Sequence, residues 1–473
     1  MKPIALLTCA FFTAAVHAFP FVLDHLPADV QKRDYAQAGC SSSALCNRYI
    51  AVSDAQAGIP AADNAATRVS KSRDNCGFLH KAQCTTFDAA SQSVSTTGQY
   101  AYQSPGPNDI RGPCPGLNAA ANHGYLHRSG LSDIANTITG LGNLYGMSVD
   151  LAGFLAAYAI AFDGDVITQQ WSIGGPLPAS LLSGALGRPT GISYSHNNYE
   201  GDTSIGRCDA YINAGDAHSL STTRFATAYA SGTGSPTGNP RNMRYTLDTM
   251  SRLAAKNTIR SISTNPYYFA PLFSTTLVAP AAYNFVVNFM SNHSSASPAG
   301  YLDGAQFKTF FGVSGNYPNF VWNKGQERIP DNWYKRPVAV QYNAVDVFGD
   351  LIPEFAAYPA TFRFGGNTNG VNTYTGVDVA NLTGGAYNAQ TLFQGNNFGC
   401  FFLQTEQQAI PLQLQGGVND VATATALVLK YLTPLSAKLG CPALSKYDNS
   451  VFQKYTGRSY APTANPNGYK ANC

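Results

Sequence analysis

The chain has 473 residues and a formal net charge of +3, with only 12% charged and 44% hydrophobic residues. That length can bury a sizeable core and enclose a cofactor. The sparse, balanced charge forms no basic stripe with interleaved aromatics, which argues against a nucleic-acid groove.

The first 18 residues, MKPIALLTCAFFTAAVHA, place a lysine before an apolar run and close on a small-x-small pattern. They read as a signal peptide. Gln31-Lys32-Arg33 adds a dibasic site, so residues 19–33 are a candidate propeptide. Residues 34–104 lack apolar periodicity and predict an irregular, disulfide-held lead-in with one or two short helices. Residues 105–337 hold the helical patterns: LSDIANTITGLGNLYG, VDLAGFLAAYAIAF, RYTLDTMSRLAAKNTIRSIS and AAYNFVVNFM each repeat apolar positions at three and four spacing. Residues 338–473 turn to Gly, Asn and Thr with aromatics, then return to one long helix ending near Gly440. The fold class expected is mainly α. The best candidate membrane span, Val149 to Phe162, is short and carries Asp150, which suits a buried helix better. The expectation is a secreted protein with no membrane partner, and the sequons at Asn292 and Asn381 agree with that compartment.

With Cys9 in the leader, nine cysteines remain. In an oxidising compartment an odd count leaves one thiol without an intrachain partner. Cys114, set between Pro113 and Pro115, is the natural candidate, with Cys208 as the alternative. Cys40, Cys46, Cys76 and Cys84 suggest a locally stapled N-terminal segment, and Cys441 with Cys473 a tie for the tail.

Pro115 suits the first turn of a helix over GLNAAAN, with Gly124 as its stop. A thiol at that helix start meets unpaired N–H groups and the positive end of the dipole, which predicts a lowered thiol pKa. The competing reading is a disulfide cysteine between loop prolines. His123 and His127 have helical metal-pair spacing, but Gly124 lies between them, so both read as loop or capping histidines. A second string, SHNNYEGDTSIGRCDAYI, sets Glu200 and Asp202 around Gly201, with Ser204 beyond. Oxygen donors so spaced suit a hard cation such as Mg²⁺, against the simpler reading of an acidic capping turn.

Together the two strings resemble the fungal haem-thiolate peroxidases, the chloroperoxidase and unspecific peroxygenase family. The resemblance rests on Pro113-Cys114-Pro115, Leu117-Asn118, Asn122-His123-Gly124, and Glu200-Gly201-Asp202 with Ser204 and Arg207. It implies a single helical haem domain of the chloroperoxidase type over residues 105–337, with extensions on both sides. It further implies haem b with Cys114 as thiolate ligand, and Mg²⁺ held by Glu200, the Gly201 carbonyl, Asp202 and Ser204. Arg207 would pair nearby acidic charge. Hydrogen peroxide and a small apolar or aromatic compound would be the substrates; oligomeric state is not implied. The glycine in the triplet points to the peroxygenase branch.

One departure bears on catalysis. Family peroxygenases carry a distal Arg and Glu after a segment like SISTNP, whereas residues 267–286 here contain no charged side chain. No distal catalytic residue is therefore named. Asn284 or a water is the substitute expected in a working peroxygenase. The alternatives are a haem-binding member specialised to another oxidative step, or a non-catalytic secreted glycoprotein.

Overall fold

A computed structural model of the chain describes residues 75–77, 79, 84–178, 189–414, 421–459 and 473. The expected signal peptide, the candidate propeptide, Cys40 and Cys46 lie outside these residues.

Twelve α-helices lie among the described residues: α1 Ala89–Gln92, α2 Pro115–Asn122, α3 Ile134–Tyr145, α4 Val149–Asp163, α5 Thr222–Ala230, α6 Leu247–Thr264, α7 Ala279–Met290, α8 Gly304–Phe310, α9 Ala344–Ala357, α10 Val379–Thr383, α11 Asn397–Leu414 and α12 Val421–Leu439. The mainly α expectation holds. Local chemistry sets many of the boundaries. Asp133 caps α3 by accepting from the Asn136 N–H, and Gly146, at φ +70°, ends it in the left-handed region that glycine favours. Thr246 and Thr249 close a reciprocal capping box at the start of α6. α4 is buried along most of its length, as a helix enclosed by neighbours must be. A π-helix, Leu272–Val278, runs directly into α7.

The strands are short and antiparallel. β1 (Leu131–Asp133) pairs with β2 (Gln170–Ser172), β4 (Asn292–Ser294) with β5 (Ser297–Tyr301), and β6 (Val313–Asn316) with β7 (Asn319–Trp322). β3 (Phe269–Ala270), β8 (Gly365–Asn367) and β9 (Tyr374–Gly376) form the remaining sheet, with Phe269 opposite Gly366. That sheet joins the segment before the π-helix to the C-terminal third.

The largest hydrophobic cluster runs through both regions, taking Phe154 and Phe273 from one and Phe401 and Leu432 from the other. α12 lies against α4, where a Cβ on Gly153 would stand 2.3 Å from the Tyr431 ring. The tail is therefore part of one core. α9 and α11 were not expected from the sequence, and Pro353, Pro411 and Pro434 sit inside helices. An interior proline costs a backbone hydrogen bond, and burial of the surrounding apolar face outweighs that loss. Among the described residues the run Leu272–Met290, not 149–162, is the segment long and apolar enough to cross a membrane, and 83% of its most apolar 18-residue stretch is buried inside the protein.

Three disulfides are present among the described residues: Cys76–Cys84, Cys208–Cys473 and Cys400–Cys441. The expected Cys441–Cys473 tie is thus replaced by two separate bridges. Cys208 is not the free thiol, because it holds the last residue of the chain. Cys114 is free.

Candidate functional site

Cys114 occupies the N-cap of α2, and its carbonyl accepts from the Asn118 N–H at 3.1 Å. Asn118 fixes the approach to this turn: its side chain accepts from the Gly112 N–H and donates to the Gly112 carbonyl, both at 2.9 Å. Gly112 cannot carry a side chain, since a Cβ would stand 1.9 Å from the Ile173 carbonyl oxygen. At the other end of α2, Asn122 donates to the carbonyls of Gly325 and Glu327, and His123 Nε2 accepts from the Ile329 N–H at 3.2 Å. His123 Nδ1 then donates to the Tyr100 carbonyl at 2.9 Å. The histidine is structural, as the sequence reading had it.

The thiol borders a cavity enclosing about 1230 Å³ of atom-free space, part of it continuous with solvent. Burial pushes the Cys114 thiol above its ordinary value, against the opposing pull of the Leu117 and Gly116 N–H groups and of the Arg207 charge. The expected lowering is therefore corrected. The helix N-terminus acts in the predicted direction, but the loss of water around the sulfur is the larger effect. A metal cation at this position would supply the missing positive charge and hold the sulfur as thiolate.

The wall formed by the π-helix and α7 presents Val278, Ala282, Phe285, Val286, Phe289 and Met290. None of these side chains ionises, so the wall has no acid or base. Asn284 does not border the cavity; it is buried and donates to Glu354 at 2.9 Å. The expectation that Asn284 stands in for the distal group is thus corrected by helical geometry: positions 282, 285, 286 and 289 share one face and position 284 points the other way. Glu200 is the carboxylate bordering the cavity among the described residues, joined there by Ser204, Arg207, Thr137, Tyr145 and Tyr199. Thr137 and Tyr145 are tied to backbone, Thr137 donating to the Asp133 carbonyl and Tyr145 to the Gly116 carbonyl.

Glu200, Gly201 and Asp202 form a buried turn behind this edge. Glu200 Oε2 lies 2.8 Å from His196 Nδ1. Asp202 Oδ2 accepts from Asn265, whose amide also donates to Asp209. Burial, reinforced by the Asp209 and Glu200 charges, holds the Asp202 carboxyl well above its ordinary value. Glu200 Oε1 and Asp202 Oδ1 are both buried without a hydrogen-bond partner. Ser204 donates to the Gly201 carbonyl at 2.9 Å, and Arg207 to the Pro113 carbonyl at 2.9 Å. Arg207 thus links this turn to the start of α2. Thr203 sits at φ +71°, a strained conformation for a β-branched residue. Two orphaned carboxylate oxygens in neighbouring positions, held in a strained turn, fit a small hard cation. Among the described residues no group of three or more His, Cys, Asp and Glu side chains is placed to hold a metal, so the turn would need its carbonyl and hydroxyl donors.

Sequence reasoning did not name His196, Asp209 and Asn265. The first two lie within or beside the quoted acidic string, four residues before Glu200 and seven after Asp202. Asn265 gave no signal, because its role depends on α6 ending beside the turn.

Comparison with known proteins adds the following. A family model described as "Peroxidase, family 2" matches residues 100–338. The dothistromin biosynthesis peroxidase dotB of Dothistroma septosporum is 42% identical over 381 residues, covering 80% of this chain and 89% of that protein. The aromatic peroxidase fscJ of Fusarium equiseti is 35% identical over 368 residues, covering 76% and 82%. An aromatic peroxygenase of Cyclocybe aegerita is 29% identical over 277 residues, covering 57% and 64%.

Proposed function

Because the chain belongs to peroxidase family 2 and is an oxidoreductase acting on peroxide, we propose that Cys114 Sγ is the axial ligand of a haem b in the apolar cavity. The observation that carries this reading is a free thiol at a helix start, facing a cavity with apolar walls. When bound, a thiolate-ligated haem supplies the electron density that favours O–O cleavage of peroxide. The N–H groups of Gly116 and Leu117 and the Arg207 charge stabilise the sulfur as thiolate. Glu200, the Gly201 carbonyl, Asp202 and Ser204 hold Mg²⁺ at the edge of the cavity, where the cation satisfies the two orphaned oxygens. Residues 105–337 form the haem-holding unit and 338–473 pack onto it, in a protein secreted through its N-terminal leader.

The walls favour a small apolar or aromatic compound, which they shield from water. The names of the relatives, two aromatic peroxidases or peroxygenases among them, agree with that class. The α7 wall carries no acid–base group, and such a group is worth about 10² to 10⁴ in rate. Peroxide turnover is therefore expected to be slower than in a relative with an ionisable pair at this wall.

Absorption spectra of the reduced, CO-exposed protein test the ligand. A strongly red-shifted Soret band, lost in Cys114→Ala, is the expected result. A protein that neither contains nor takes up haem overturns the reading. Metal analysis of Glu200→Gln tests the cation, with loss of Mg²⁺ expected and unchanged content overturning that assignment.

A further inference from the structure

Three consecutive residues of α7 face three different parts of the protein. Ala282 borders the cavity, Tyr283 reaches the acidic turn, and Asn284 donates to Glu354 on α9. Tyr283 is buried, and its hydroxyl donates to the Thr203 carbonyl at 2.6 Å. The same hydroxyl accepts from the Asn257 amide, whose oxygen accepts from Arg260, so two residues of α6 hold the phenol in place. On the other side of Thr203, its N–H donates to Asp209 Oδ1 at 3.2 Å. Asp209 is fixed in turn by Ser261 at 3.0 Å and Asn265 at 3.2 Å. Thr203, at φ +71°, is thus clamped through both of its peptide groups. A β-branched residue keeps that conformation only where its surroundings hold it there. The left-handed turn brings Ser204 Oγ back to the Gly201 carbonyl at 2.9 Å, and these are the two uncharged donors of the proposed cation site. A second contact runs alongside, because Gly201 packs on Thr275 of the π-helix, which continues into α7.

We propose that Tyr283 couples the cation to the substrate. With Mg²⁺ in the acidic turn the α7 wall is set for the apolar compound; without it the wall shifts and the compound binds more weakly. The inference rests on the cation and substrate sites proposed above. The two states differ at Thr203. A cation that draws together Glu200, the Gly201 carbonyl, Asp202 and Ser204 binds only the strained arrangement, and so stabilises that arrangement alone. With the cation removed, Thr203 relaxes toward ordinary backbone angles and carries its carbonyl with it. That carbonyl is bonded to Tyr283 inside a close-packed interior, which transmits small displacements. The shift passes to α7, and so to Ala282, Phe285 and Val286 on its cavity side. Tyr283 does not itself border the cavity and acts through Thr203, which makes it a positioning residue. Linkage makes the coupling reciprocal, so bound substrate tightens Mg²⁺ by the same factor.

Isothermal titration of the haem-loaded enzyme, without peroxide, tests this. Mg²⁺ binding is measured alone and at saturating naphthalene, an uncharged arene; naphthalene binding is measured after metal stripping and at saturating Mg²⁺. In the native protein each ligand should tighten the other by a common factor of about five or more. Tyr283→Phe keeps the ring and removes the bond to Thr203, so the factor should fall below about two while both ligands still bind. Thr203→Gly removes the strain without removing a bonded side chain. It should lower the factor in the same way with no loss of Tm, and it decides the question should Tyr283→Phe fold poorly. Asn284→Ala, at the neighbouring position on α7, should keep the native factor, whereas a coupling lost there as well would make Tyr283 merely structural and overturn its role. Independent binding of the two ligands in the native protein, or a native factor in Tyr283→Phe or Thr203→Gly, overturns the coupling and leaves both sites standing. A native enzyme that binds no Mg²⁺, or no naphthalene, overturns the site concerned and the coupling with it.

Discussion

Asn284 donates its side-chain amide to Glu354 across 2.9 Å, and both residues are buried. Asn288, one turn later on α7, donates in the same way to Asp350 at 2.9 Å. These pairs join α7 to α9 on the face turned away from the cavity, so the polar stripe of α7 serves packing. Asn284→Ala should therefore cost about 1–3 kcal/mol of stability, the usual penalty for removing a buried partner. Turnover of peroxide per folded molecule should stay at the native value. Thermal unfolding and steady-state kinetics on the same preparation check this. A fall in kcat at unchanged Tm would return Asn284 to the cavity.

That pairing also marks what the sequence could disclose. The Pro113-Cys114-Pro115 turn, the free thiol and the acidic triplet were legible because each depends on local chemistry: a proline at a helix start, an odd cysteine count, oxygen donors two and four positions apart. The direction in which α7 faces was not. Its apolar and polar stripes are both buried, so amphipathic patterning cannot say which one meets the cavity. α9 and α11 also escaped the sequence reading, and each carries an interior proline, Pro353 and Pro411, that packing overrides. Disulfide partners failed for a related reason: Cys208 and Cys473 are 265 residues apart, and only the folded chain brings them together.

Stability should fall as pH rises through the neutral range. Burial raises the Glu406 carboxyl from 4.5 to about 8, and holds Asp163 well above its ordinary value. The unfolded chain ionises such groups from about pH 4.5 upward, while the folded chain keeps them protonated. The unfolded state thus binds fewer protons, and the stability that Glu406 contributes is full below about pH 4.5 and lost progressively toward pH 8, with Asp163 acting in the same direction. Glu406→Gln keeps the shape and removes the titration. Its Tm should decline less between pH 5 and 8 than that of the native protein, by differential scanning calorimetry. Parallel declines would show that Glu406 is ionised in the fold.

The two sequons should differ in occupancy if the protein is secreted as proposed. Asn381 is exposed on α10, where its backbone N–H donates to the Asp378 carboxylate at 3.1 Å. Asn292 is half-buried in β4, where its side-chain oxygen accepts from the Tyr334 N–H at 2.8 Å. A glycan on Asn292 would have to displace that contact. Glycopeptide mapping of protein secreted from a eukaryotic host should find sugar at Asn381 and none at Asn292. A glycan found on Asn292 in folded protein would show that the β4 contact is dispensable.

Gly201 connects the acidic turn to the π-helix. A Cβ there would stand 2.2 Å from Thr275 Oγ1 and 3.1 Å from Ser274 Oγ. The nearest atoms are side-chain hydroxyls; the β-branched Thr275 can move its own only by changing χ1, whereas removal of the threonine hydroxyl relieves the contact directly. Gly201→Ala should destabilise the protein by about 1–3 kcal/mol, as overpacking does, and should displace Glu200 or Asp202 and so lower Mg²⁺ content. The double variant Gly201→Ala with Thr275→Ala should recover part of both losses, giving a coupling between residues in contact of about 0.5–3 kcal/mol. Unfolding curves and metal analysis of the four proteins measure that coupling. Additive losses would mean that the wall opposite the triplet is free to move, and that a glycine at position 201 answers some need other than close approach.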